Sequence, residues 1–319
     1  MVIKNLMRKL FSVDVNGSTR VVIYILGIRF RFIKPEFKNK INEYNAMECK
    51  ITDIPKATGV LRKFQLASIK LLLMVDKICK ENNIQYWSDY GNLLGAVRHN
   101  GFIPWDDDCD IGMLRDDYLR FIDLISNNPE KYPDIYLVYD NNGKNRCFVK
   151  VKCKQFDGIA MDVFPYDLYY KKTTDEEKEV LTQKIRKITH SRWNALFKPF
   201  YIFSHTLMSK RLAKLTYKLI NEGHSVNKEN KPSVFPAIDY PQRNLNLVYD
   251  YEDLFPLKTL DFEGLEIIVP NNPHKVLTQE YGDYMVIPED SYPRHIFYGN
   301  VDTTILDNFI EDMLDKVQF

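Results

Sequence analysis

Apolar residues at positions 61, 64, 71, 72, 75, 78 and 79 follow the period of one buried helical face and predict a helix from Leu61 to Cys79. Asn82 and Asn83 end it. Ile84–Tyr90 is aromatic and β-prone and reads as a short strand that Gly91 breaks, and Leu93–Arg98 fits one or two helical turns. Gly101–Pro104 marks a turn, and Trp105–Met113 reads as a second strand. Asp116 is placed to cap a helix from Tyr118 to Ile125.

Phe148–Gln155 and Gly158–Phe164 predict two further strands around a short turn. Residues 175–222 predict a long basic helical region. Leu257–Phe262 and Leu265–Val269 predict a hairpin across Glu263–Gly264, followed by a short helix over Pro273–Tyr281. Near the start, Val21–Ile33 is β-branched and aromatic around Gly27 and reads as a strand or hairpin. Residues 34–56 carry charge, Asn and Pro, as a linker does. The chain thus divides into a basic N-terminal β extension with its linker, residues 1–55, and a main body, residues 56–319. Strands and helices mix without strict alternation, which predicts an α+β fold with a small mixed sheet and flanking helices.

Composition narrows the setting. Of 319 residues, 45% are hydrophobic and 27% charged, as in ordinary globular proteins. The five cysteines, Cys49, Cys79, Cys109, Cys147 and Cys153, are odd in number and scattered, with no C-x-x-C pair. A disulfide framework and a structural zinc site are therefore not expected. No stretch reaches the roughly 18 apolar residues of a membrane span, and Val21–Gly27 lacks the cleavage site of a signal peptide. A cytoplasmic protein is expected, with contact at the inner face of a membrane left open.

Charge is unevenly spread: residues 1–40 carry net +7, although the whole chain carries only +1. Residues 178–218 hold ten Lys/Arg against Glu179 alone, with Trp193, Phe197, Phe200, Tyr201 and Phe203 among them. A basic helix with an aromatic face suits anionic lipid, and a core-packing helix with a solvated basic back fits equally. No nucleic-acid-binding module surrounds the stretch, so a nucleic-acid partner is not expected.

The candidate chemistry lies in Trp105-Asp-Asp-Asp-Cys-Asp110. On an extended segment Asp106, Asp108 and Asp110 share one face, spaced by roughly 6–7 Å, and Asp107 faces away. Carboxylates so placed repel unless a cation sits among them, and hard oxygen ligands suit Mg²⁺ or Mn²⁺ shared with substrate phosphates. Asp162, in Met161-Asp-Val-Phe-Pro165, is an acid between apolar neighbours at a strand end. It either completes a metal site, serves as general base, or bonds to nearby backbone. Gly91 and Asn92 stand at a helix start, where amides can meet a phosphate. Arg98 can clamp a phosphate or pair with Asp106 or Asp110.

The aromatic residues Tyr86, Trp87, Tyr90, Trp105 and Tyr166 can cage a quaternary ammonium or simply pack the core. Lys150 and Lys152 share one strand face and can reach a diphosphate, although a solvated face explains them too. His295 beside Arg294 can orient a phosphate.

The run Gly91-Asn-Leu-Leu-Gly-Ala-Val-Arg-His99, then Gly101-Phe-Ile-Pro-Trp-Asp-Asp-Asp-Cys-Asp110, closely resembles the LicD family of phosphotransferases, to which fukutin and fukutin-related protein are also similar. Met161-Asp-Val-Phe-Pro-Tyr-Asp167 matches that family's second acidic motif. Phe262-Glu-Gly264, Ile268-Val-Pro270, Tyr281-Gly282 and Pro293-Arg-His295 look like its later landmarks. The resemblance runs from about Leu61 to His295. It implies a polymerase-beta-type nucleotidyltransferase core, a CDP-linked donor, divalent-metal catalysis and a glycan or lipid-linked glycan acceptor. It implies Asp106, Asp108 and Asp110 as metal ligands and Asp162 as the further active-site carboxylate.

Asn92 departs from the family's usual Ser or Thr, which directs phosphate binding there to backbone. The expected reaction is transfer of phosphocholine from CDP-choline to a sugar hydroxyl of a cell-surface glycan, of lipopolysaccharide, teichoic acid or capsule type. The alternatives are transfer of ribitol or glycerol phosphate, a true nucleotidyltransferase, and a glycan-binding scaffold without catalysis.

Overall fold

The computed structural model describes residues 47 and 49–139, 148–169, 232–236, 248–287 and 303–313, three strands between residues 11 and 33, and isolated positions between 174 and 214. The basic region 175–222 therefore lies almost wholly outside the described residues, and Arg294 and His295 lie wholly outside them.

Near the start, β1 (Phe11–Asp14), β2 (Arg20–Ile25) and β3 (Ile28–Ile33) form a three-stranded antiparallel sheet. Val21–Ile33 is thus the hairpin of its two alternatives, with Ile25 paired to Ile28 across the turn. Within the segment read as linker, Ile51 and Ile54 are buried in the main hydrophobic core.

The predicted first helix is α1 (Gly59–Glu81), which buries Phe64, Leu71, Leu72, Val75 and Cys79 as its periodicity requires. It packs against the central strand of the main sheet and against α6, introduced below. The chain then forms only a two-residue strand, β4 (Trp87–Ser88), before α2 (Tyr90–His99). The predicted strand to Tyr90 is cut short because the carbonyl of Asp89 accepts from the amides of Asn92 and Leu93 at 3.0 and 3.3 Å, which opens the helix at once. Gly91 therefore sits inside the first turn of α2 and does not separate strand from helix.

The second predicted strand also begins late. Ordered pairing starts at β5 (Asp110–Leu114), not at Trp105. The Asp106 amide turns back to the Ile103 carbonyl at 2.9 Å. Gln65 of α1 donates to the carbonyls of Ile103 and Asp106, at 3.2 and 3.0 Å. These bonds hold residues 103–109 as a shaped loop. Helix α3 (Arg115–Asn127) follows β5 directly, so Asp116 lies in its first turn and is not the cap. There its charge still favours the helix dipole.

Next come β6 (Ile135–Tyr139), β7 (Val149–Cys153) and the long β8 (Ala160–Tyr169). Strands β9 (Ser233–Pro236) and β10 (Tyr249–Asp250) complete a seven-stranded sheet among the described residues. β8 is its axis: β5 runs parallel along one edge, and β7 and β9, both antiparallel, divide the other. The expected end at Phe164 is passed because Pro165, which cannot donate a ladder bond, falls between the last β7 pair at Val163 and the first β9 pair at Tyr166. The α+β class expected from the sequence is the one observed.

A single turn, α4 (Tyr251–Leu254), leads to the hairpin of β11 (Lys258–Phe262) and β12 (Leu265–Val269). Its two turn residues, Glu263 and Gly264, have φ of 61° and 81°, the left-handed pair that a two-residue hairpin needs. Helix α5 (Pro273–Tyr281) is capped by the Asn272 side chain, with Pro273 at its first turn. Helix α6 (Thr303–Ile310) buries Leu306, Phe309 and Ile310.

Candidate active site

Parallel pairing of β5 and β8 sets Asp110 directly beside Asp162. The loop that enters β5 brings the other acids to the same place. One carboxylate oxygen from each of Asp106, Asp107 and Asp108 lies within 4.8 Å of the others. Asp107 thus joins the cluster and does not face away: the segment is looped, and strand alternation does not begin until Asp110. Gly91 makes room for this arrangement, since a Cβ added there would stand 2.5 Å from Asp106 Oδ2.

The electrostatics show the strain of like charges. Burial first, then Asp108, raises the Asp106 carboxyl well above its ordinary range. Burial, followed by the charges of Asp108, Asp162 and Asp106, does the same for Asp110. Without a cation the cluster takes up protons; a divalent ion would relieve the same repulsion. Four aspartates, all hard oxygen donors with three in mutual reach, fit Mg²⁺ or Mn²⁺.

Asp162 is held by Lys150. The ammonium lies 2.5 and 2.7 Å from the two Asp162 oxygens. Lys152, on the same strand face, pairs instead with Asp157 at 2.9 Å. Asp167 is a structural acid, joined by a two-pronged bond to Arg115 at 2.8 and 2.9 Å.

Three expectations are corrected. Trp87 is no ligand-facing ring: it is 1% exposed and packs edge-on against Tyr166 and Phe255. Trp105 is likewise buried, beneath Arg98 and His99. Arg98 is a buried brace. Its fork donates to the Tyr284 carbonyl at 2.5 Å and to His99 Nε2 at 2.9 Å, and it has no ion pair with Asp106 or Asp110 among the described residues. Burial lowers the Arg98 guanidinium to about 10, with Tyr281 and Asp106 opposing. Burial, then Arg98, lowers His99 to about 3, so His99 is the neutral acceptor that this bond requires. Asn92 is also buried and donates to Cys109 Sγ at 3.0 Å, which ties α2 to the acidic loop.

Sequence reasoning did not assign the roles of three further acids. Asp89, 1% exposed, receives the Tyr166 hydroxyl at 2.6 Å, and its amide donates to the Asp110 carbonyl at 3.0 Å. Burial pushes its carboxyl up to about 7. Glu280, buried at the end of α5, receives the Tyr249 hydroxyl at 2.8 Å. Glu263 braces the acidic loop from the hairpin turn. It takes Arg62 at 2.8 and 2.9 Å and the Phe102 amide at 3.1 Å, and its own amide donates to the Asn100 carbonyl at 2.8 Å. Phe262-Glu-Gly264 was marked as a landmark and a turn, but a glutamate in a turn normally signals solvent, so its buried role was not read. Tyr281 is 44% exposed as a residue, although its hydroxyl end is buried. Its hydroxyl is raised by burial and by the charges of Glu280, Asp110 and Asp106.

Residues 83–200 match the family described as LicD/FKTN/FKRP, nucleotidyltransferase domain. The chain is 30% identical over 264 residues to the lipopolysaccharide cholinephosphotransferase LicD of Haemophilus influenzae, covering 74% of this chain and 96% of that protein. A 34-residue stretch is 50% identical to the human ribitol 5-phosphate transferase FKRP, covering 11% of this chain and 7% of that one. An uncharacterised protein of Rickettsia typhi is 31% identical over 120 residues, 36% of this chain and 39% of its own length. The chain belongs to the LicD family. It is a phosphotransferase.

Proposed function

We propose that the protein transfers phosphocholine from CDP-choline to a sugar hydroxyl of a cell-surface glycan of the lipopolysaccharide, teichoic acid or capsule type. The observation that carries the choline reading is the similarity to a cholinephosphotransferase along 96% of that relative's length. Asp106, Asp107 and Asp108 offer the oxygens for Mg²⁺ or Mn²⁺, with Asp110 beside them. Bound there, the ion would offset charge on the transferring phosphoryl oxygens and lower the pKa of the attacking hydroxyl.

The remaining chemistry falls to the chain itself. The acceptor oxygen forms a bond to the choline-bearing phosphorus. The bond from that phosphorus to CMP breaks, CMP keeps the electron pair, and the hydroxyl proton passes to Asp162. The Gly91 amide, in the first turn of α2 beside Asp106, can meet a donor phosphate. With Trp87 and Trp105 buried, the partly exposed Tyr281, whose hydroxyl feels the charges of Asp110 and Asp106, is the aromatic residue we assign to the choline ammonium. The basic stretches 1–40 and 178–218 support peripheral contact with an anionic membrane that carries the acceptor.

Two observations favour a second reading, transfer of ribitol phosphate. The two tryptophans expected to cage a quaternary ammonium are inside the core, and a 34-residue stretch is 50% identical to ribitol 5-phosphate transferases. The deciding experiment incubates the full chain, Mg²⁺ and a lipopolysaccharide acceptor with CDP-choline, CDP-ribitol or CDP-glycerol and follows CMP release. CMP from CDP-choline alone supports the first reading. CMP from CDP-ribitol without CDP-choline turnover replaces it with the second.

A further inference from the structure

Lys150, Asp162 and Asp110 form one row across β7, β8 and β5, with Lys150 in antiparallel register with Asp162 and Asp162 in parallel register with Asp110. The lysine engages both oxygens of Asp162, and so already supplies part of the positive charge that the acidic cluster lacks. Its hold is weak in energetic terms. The two side chains are 35% and 19% exposed, so water competes for both partners and screens the pair. A divalent ion among the aspartates would both compete for Asp162 and repel the ammonium.

Among the described residues, the other basic groups near this row have partners of their own. Arg98 is buried with its fork bound to Tyr284 and His99, and Lys152 reaches the exposed Asp157 and not the acid row. Among these groups Lys150 is the one that touches the acid row; it is a point charge on a flexible four-carbon stem, and an ammonium is a sound phosphate binder.

We propose that Lys150 is a positioning residue that exchanges partners, holding Asp162 while no divalent ion is bound and turning to the donor diphosphate once an ion is bound. This rests on the metal-dependent reading above. The exchange couples the two ligands: ion binding frees Lys150 for the donor, and donor binding keeps Lys150 away from Asp162. By linkage, each raises the affinity for the other by the same factor.

Two measurements on the full chain test this, neither of them activity. In the first, lysines are acylated with a succinimidyl ester and Lys150 labelling is read by peptide mass spectrometry. Labelling is expected to rise several-fold with Mg²⁺ and to fall again when CDP is added. In the second, Mn²⁺ binding is titrated with and without CDP. Lys150→Met is expected to bind Mn²⁺ several-fold more tightly than wild type without CDP and to lose the tightening that CDP gives wild type, and Lys150→Arg to regain part of it. Labelling that ignores Mg²⁺ in a protein that binds it, or wild-type CDP coupling in Lys150→Met, overturns the exchange. Wild type that binds neither Mg²⁺ nor Mn²⁺ overturns the metal-dependent reading itself and this inference with it.

Discussion

Arg62 of α1 and Glu263 of the β11–β12 turn form a two-pronged ion pair, with side-chain exposures of 9% and 0%. Through it, the hairpin turn is bolted to the longest helix and to the loop that carries the acids. Removing one partner of a buried pair leaves an uncompensated charge, so Glu263→Ala should cost about 3–5 kcal/mol. Burial works to raise the Glu263 carboxyl, but Arg62 and Lys56 outweigh it and hold it below the ordinary 4.5. Its stabilisation is therefore present above that value and is lost as pH falls through the depressed one. Urea unfolding across pH should show Glu263→Gln less stable than wild type near neutrality, with the gap closing in acid.

The acidic cluster has the opposite sign. Asp106, Asp110 and Asp89 have raised carboxyl values, about 7 for Asp89 against an ordinary 3.8. The folded state holds protons that the unfolded chain has released, so metal-free stability should fall as pH rises from 3.8 toward 7. Saturating Mg²⁺ should remove much of that slope. Thermal melts at several pH values, with and without Mg²⁺, check it: a larger Mg²⁺-induced rise in Tm at pH 7 than at pH 5 is expected.

How much of this could be read beforehand depends on whether the deciding force was local. The α1 face, the β11–β12 turn and the acidic motif were legible because periodicity, a Glu-Gly turn and four aspartates in five positions leave few alternatives. The strand expected from Trp105 was not, because Gln65, some forty positions earlier, fastens that segment as a loop. Trp87 and Trp105 lie next to the chemistry in sequence yet point into the core. β6, a β-prone run between Pro133-Asp134 and Asp140-Asn-Asn-Gly143, carried strand and turn signals that went unread, and β9 and β10 are too short to carry a pattern. The role of Glu263 depends on Arg62, 201 positions away.

Gly91→Ala tests the close approach of α2 to the acids. The added Cβ would fall 2.5 Å from Asp106 Oδ2, so the carboxylate must move while the helix gains a better former. Mn²⁺ affinity measured by titration should drop at least tenfold, with melting temperature little changed.

Trp87 and Tyr281 should separate cleanly. Trp87→Leu opens space in the core and should cost about 3 kcal/mol of stability, with the donor KM of the protein that remains folded near wild type. Tyr281→Leu should leave stability nearly intact and raise KM for CDP-choline by roughly tenfold, the loss of a cation–π contact of up to about 2 kcal/mol. Parallel unfolding and steady-state kinetics distinguish the two.

The central claim is that the aspartates work through a divalent ion in phosphoryl transfer. Its most direct measurement is phosphocholine incorporation into a lipopolysaccharide acceptor by wild type and by Asp108→Asn, with Mg²⁺ and with excess chelator, after each protein is shown to be folded by circular dichroism. Wild type should be active only with Mg²⁺, and folded Asp108→Asn should lose at least a hundredfold in either condition. Wild-type rates in chelator, or full activity in Asp108→Asn, would contradict it.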